Sequence, residues 1–121
     1  MIRSVLLAAL LLLPGVASAQ DAKAQSGAGA LLRALDKVNG ATVDVEVRSG
    51  ETGELFNLDV ALADCRFPVD NPTGDAFAYL TIWEKGKVQA IFEGWMIASS
   101  PALNALDHSR YDVWVMRCIT S

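Results

Sequence analysis

Two cysteines, one histidine and four prolines are all that this 121-residue chain has of the side chains that build metal centres, disulfide scaffolds and extended polyproline segments. A metal site would need more ligands than two cysteines and a lone histidine supply. Ten Lys and Arg against fourteen Asp and Glu give a net charge of -4 and no basic stripe, which excludes a nucleic-acid partner and disfavours an anionic membrane surface. No apolar run reaches the ~20 residues needed to cross a hydrocarbon core. The longest is Val5 to Leu13. Gly-x-Ser-x-Gly elbows, nucleotide loops, internal repeats and low-complexity tracts are also missing, so no cofactor is implied. The chain is too short for more than one domain, yet long enough to bury a core.

What is present begins with an address. Arg3, the run Val5 to Leu13, the break at Pro14-Gly15 and the small-x-small site Ala17-Ser18-Ala19 read as a secretory signal peptide over residues 1–19, with cleavage before Gln20. After cleavage no transmembrane segment is left, and the compartment is periplasmic or secreted. Residues 20–30, rich in Ala, Gly, Ser and Gln, read as a flexible tether.

The domain proper is expected over residues 31–118, with 119–121 as a tail. Leu31 to Val38 admits a helix or a strand, with strand preferred because Asn39-Gly40 follows as a turn signal. Val43, Val45 and Val47 alternate with Asp44, Glu46 and Arg48, and Phe56, Leu58, Val60 and Leu62 alternate likewise, delivering Cys65. Residues 66–75 read as a loop. Across Ala76 to Trp83, Phe77, Tyr79, Thr81 and Trp83 oppose Ala78, Leu80 and Ile82; Gly86 then turns the chain into a partner strand over Val88 to Met96. Ser100 as N-cap and Pro101 at the first helical position predict a short helix near 100–108, and Tyr111 to Cys118 is a last strand. The sum is all-β: a small sandwich or partly closed barrel of about six or seven strands with one short helix.

Cys65 and Cys118 each end a strand of an exported chain, so a disulfide is expected. Trp83, Trp95 and Trp114 all fall on strands; with Ser99, Ser100, Asp107, His108, Tyr111 and Asp112 they make the candidate binding face. No catalytic residue is assigned, the alternative being a nucleophilic Ser100 with His108 and Asp112, in which a base must reach the hydroxyl and a carboxylate must orient the base. No metal site is assigned either; the alternative is an oxygen-rich turn of Asp70, Asn71 and Asp75, which lacks the spacing of a calcium loop.

Three stretches, Leu35-Asp36-Lys37-Val38-Asn39-Gly40, Cys65-Arg66-Phe67-Pro68 and above all Gly94-Trp95-Met96-Ile97-Ala98-Ser99-Ser100-Pro101 through Tyr111-Asp112-Val113-Trp114-Val115 to Cys118, resemble a secreted bacterial family catalogued as domain of unknown function 2155. The resemblance covers about Leu31 to Cys118 and implies a small envelope domain with two cysteines and no assigned activity. The leading expectation is a non-enzymatic periplasmic domain that binds an envelope protein or a cell-wall polymer. Its rivals are a small Ser/His hydrolase and a structural accessory subunit on the outer face of a membrane complex. Oligomeric state is not legible.

Overall fold

The period-2 pattern of apolar side chains becomes eight antiparallel strands in the computed structural model, which describes residues 23–120. The expected signal peptide and the start of the tether lie outside the described residues. The strands are β1 (Ala24–Ser26), β2 (Gly29–Asp36), β3 (Thr42–Arg48), β4 (Thr52–Leu55), β5 (Leu58–Pro68), β6 (Phe77–Glu84), β7 (Phe92–Ile97) and β8 (Tyr111–Ile119). They form two sheets: β1-β5-β6-β7 with β4 also paired to β5, and β3-β2-β8. The inner faces meet in one core led by Leu32, Leu55, Leu58, Val60, Leu62, Leu80 and Ile82. This is an all-β sandwich, and the doubtful segment from Leu31 is strand.

Each cysteine reaches the core through a bulge. Along β5 the even-numbered Leu58, Val60 and Leu62 point inward, the register slips between Leu62 and Asp64, and thereafter the odd-numbered Cys65 and Phe67 are buried. On β8 the odd-numbered Tyr111, Val113 and Val115 point inward, Met116 is the extra residue, and then Cys118 is buried. One extra residue reverses which face the next side chain takes. The two sulfurs are bonded, with the Cα atoms 5.7 Å apart, so the disulfide joins one sheet to the other.

Four sequence expectations are corrected. Most of the expected tether from Ala24 is strand, Ala24–Ser26 in β1 and the start of β2 from Gly29: β1 pairs Ala24 with Pro68, and between the two strands Gly27 N–H donates to Cys65 O (2.6 Å) while Ala28 N–H donates to Ile119 O (2.7 Å). Main-chain pairing needs no apolar side chains, so composition did not disclose it. Second, no helix forms near 100–108. Ser100 N–H donates to Ile97 O and Leu103 N–H to Ser100 O, two isolated turns, after which Asn104 Nδ2 donates to Trp95 O. Leu106 is buried while Leu103 is exposed, so the segment lacks the continuous apolar face that would hold so short a helix. Third, the strand expected from Val88 starts only at Phe92, because pairing sets Phe92 opposite Ile82 and leaves residues 85–91 as a wide loop with Val88 almost fully exposed. Gly86 does turn the chain there, with φ 79°. The loop expected from Arg66 is in turn β5 as far as Pro68.

Candidate functional site

Directly paired residues of antiparallel strands share a face, so the register of the five-stranded sheet fixes its outward side chains. Asp59 lies opposite Trp83, Ala61 opposite Thr81, Asp64 opposite Tyr79 and Arg66 opposite Phe77. On the far side of β6, Thr81 pairs with Glu93, Tyr79 with Trp95 and Phe77 with Ile97. The result is an aromatic and aliphatic stripe along β6 and β7, with carboxylates on both flanks. Trp95 is 41% exposed and the other stripe residues are half-buried against one another.

Contacts within the face hold it in shape. The Tyr79 and Trp95 rings meet edge to face with centroids 5.3 Å apart, and the Tyr79 hydroxyl donates to Glu93 Oε1 (3.2 Å). Burial, then the bond to Glu93 and its charge, push the Tyr79 phenol above its ordinary pKa, so it stays a neutral donor. Ser26 Oγ donates to Asp64 Oδ2 (3.1 Å). Glu54 on β4 stands directly opposite Asp59, and Lys85 Nζ bridges to Glu54 Oε1 (2.8 Å). The segment joining β7 to β8 leaves this face open. Asn104 sits at the β7 edge, where a Cβ on the inward-facing Gly94 would meet its amide.

The nine residues of the expected binding face do not form one surface. Trp83 and Trp95 share the stripe. Trp114 pairs with Arg33 on the outer face of the other sheet, and Tyr111 is in the core. Ser99 lies past the end of β7, where its N–H donates to Asp75 Oδ1 (3.1 Å) and its Oγ to Asp75 Oδ2 (2.8 Å). Ser100 follows it in a turn. Asp107 is exposed, and Asp112 Oδ1 lies 3.7 Å from Lys37 Nζ. His108 belongs to the opposite end of β6: its Nε2 is 2.8 Å from Glu84 Oε1, and its Nδ1 accepts the N–H groups of Arg110 (2.9 Å) and Tyr111 (3.2 Å). Two N–H donors aimed at Nδ1 assign the ring proton to Nε2, which donates to Glu84.

The hydrolase alternative of Ser100, His108 and Asp112 fails on this geometry. Ser99 is tied to Asp75 before β6 and His108 to Glu84 at its end, so some 20 Å of extended strand separates the hydroxyls from the imidazole. A proton transfer needs about 3 Å. The metal alternative fares no better. Asp70 and Asn71 lie in turns, the Asp75 carboxylate is engaged by the N–H groups of Ala76 and Ser99 and by the Ser99 hydroxyl, and no cluster of metal-ligating side chains is found among the described residues.

Sequence reasoning missed Phe77, Tyr79, Ile97, Asp59, Asp64 and Glu93 as members of this surface. The signal was there for β6, whose alternation already set Phe77, Tyr79 and Trp83 against Leu80 and Ile82; the strand register that brings in the acidic residues was not.

Over residues 30–118 the chain matches the family described as "Uncharacterized protein conserved in bacteria (DUF2155)". The chain belongs to this family. The matched span runs from Ala30 in β2 to Cys118 in β8, so the DUF2155 region takes in both sheets and both disulfide partners. Among curated proteins it is similar to an uncharacterized protein of Rickettsia prowazekii (strain Madrid E), 27% identical over 89 residues. These cover 70% of this chain but only 57% of the relative, whose length the chain therefore spans by little more than half. No solved structure matches.

Proposed function

We propose that this DUF2155 domain is a non-catalytic module of the bacterial envelope that binds a partner through the outer face of its five-stranded sheet. The observation that carries the reading is the stripe itself: Phe77, Tyr79, Trp83, Trp95 and Ile97 lie side by side on a solvent-facing sheet surface. Exposed aromatic side chains flanked by polar residues supply large contact area at low conformational cost, which is the make-up of protein and polymer recognition surfaces. Export belongs to the same proposal and rests on Arg3, the run Val5 to Leu13 and Ala17-Ser18-Ala19. The disulfide suits an oxidising compartment.

The test is a photo-crosslinking phenylalanine analogue in place of Trp95 on the stripe, or of Glu46 on the outer face of the other sheet, in cells carrying the full chain. Adducts from position 95 and none from position 46 are expected. Equal labelling from both positions, or reproducible ester or peptidoglycan turnover by the purified protein, would overturn the proposal. N-terminal sequencing of the exported form should begin at Gln20; an intact Met1 in a membrane fraction would remove the export part.

A further inference from the structure

We infer that the partner surface is a cationic polypeptide segment, whose lysine or arginine groups lodge between the aromatic rings and the carboxylates of the stripe. The inference rests on the binding-face reading above and adds the chemistry of what is bound.

Charge is divided unequally between the two outer faces. On the three-stranded sheet, register sets Asp44, Glu46 and Asp112 on the same surface as Arg33, Arg48 and Arg117, and Arg33 Nε donates to Asp44 Oδ1 (2.7 Å), so that face is balanced. On the five-stranded sheet Glu54, Asp59, Asp64 and Glu93 face outward, and Arg66 is the one basic side chain that register places among them, with its guanidinium donating to Ala24 O (3.2 Å). Lys85 at the border is held by Glu54. The acid excess of the chain is therefore concentrated on the face that carries the aromatic stripe.

Placement sharpens this. Glu54 and Asp59 are opposed directly across the ladder, a pair of like charges that Lys85 already relieves through its bond to Glu54, so the carboxylates left for a partner's cation are those beside the rings. Two units recur along β6, each an aromatic ring with an aspartate beside it: Trp83 with Asp59, and Tyr79 with Asp64, the latter backed by Trp95. Trp83 and Tyr79 are four residues apart, about 13 Å of strand. A ring face and a carboxylate set side by side attract an ammonium or guanidinium together, the ring by its quadrupole and the carboxylate by charge. The same carboxylates repel phosphate-bearing and uronic-acid polymers. An extended peptide with basic residues four apart would meet both units at once.

The test uses the mature protein, residues 20–121, labelled so that the indole N–H signals of its three tryptophans are resolved by NMR. The probe is the peptide Gly-Lys-Thr-Thr-Thr-Lys-Gly, with a control carrying Glu in place of both lysines. The lysine peptide should shift the Trp83 and Trp95 signals and leave Trp114 in place, and its binding should weaken at least tenfold in Asp59→Asn/Asp64→Asn, a pair that keeps side-chain shape and whose melting curve reports folding. Signals that do not move, or that move equally with the glutamate control, overturn the inference. A neutral chitin tetrasaccharide that shifts Trp83 and Trp95 where the lysine peptide does not would overturn the cationic chemistry and leave the binding face standing. Silence with every probe, joined to the absence of crosslinks from position 95, would remove both.

Discussion

Phe56 takes a backbone conformation, φ 55°, that a bulky L residue avoids, at the first of the two residues turning β4 into β5. Its ring lies nearly parallel to that of Tyr111, with centroids 5.6 Å apart, and the contact between the sheets offsets the strained turn. Phe56→Ala keeps the strain and loses the stacking, so it should destabilise by about 1–2 kcal/mol in urea unfolding. Asp36 is the buried acid of the molecule's described part, held by Arg110 Nη2 (2.9 Å) and Nε and by the Val38 N–H (3.0 Å). The Arg110 hydrogen bond, working against burial, pulls the Asp36 carboxyl below its ordinary pKa. A lowered pKa in the folded state gives stability that is present above the unfolded value of about 4 and is lost as pH falls through the folded value. The melting temperature should therefore drop as pH is taken from 5 towards 2, and Asp36→Asn should be less stable at pH 7 and show a flatter acid limb.

Among the elements, the strands were legible wherever one face is apolar and the other polar, as in Thr42 to Arg48, whose boundaries match β3. Where pairing rests on the main chain alone, as in β1, no side-chain pattern announced it. Parity also misleads at the bulges: counting by twos from Leu58 puts Cys65 on the solvent side, and only the slip near Ala63 returns it to the core. The connection from β7 to β8 imitates a capped helix because Ser100-Pro101 is equally at home in a turn. Since Ser100 caps nothing, Ser100→Ala should change stability by less than about 0.5 kcal/mol, whereas Leu106→Ala, which empties the anchor of this connection, should cost about 3 kcal/mol. Chemical unfolding of the two variants side by side checks both. The candidate face was half legible for the same reason: tryptophans and alternation are written in the sequence, but which aspartate stands beside which ring is decided by strand order.

At the scale of the whole molecule, the Cys65–Cys118 bond is the covalent link between the two sheets, and its sequence separation of 53 is most of the domain. Chain-entropy arguments put the stabilisation of such a loop at about 4 kcal/mol. A Cys65→Ser/Cys118→Ser double variant should fold to the same sandwich and lose an amount of that order in urea unfolding, with the loss reproduced in the wild type by reductant. The bond also divides the chain into a closed ring and a tail. Residues 65–118 form the ring, and β1 to β4 with the first half of β5 hang from it. The three long exposed connections, 69–76, 85–91 and 98–110, lie inside the ring, so a protease that cuts one of them opens the circle without parting the molecule. Trypsin acting after Lys87 should leave a single band on a non-reducing gel and two on a reducing one. A cut after Lys37, in the tail, frees a piece held by pairing alone. The long exposed loops inside the ring are thus placed where nicking does least harm.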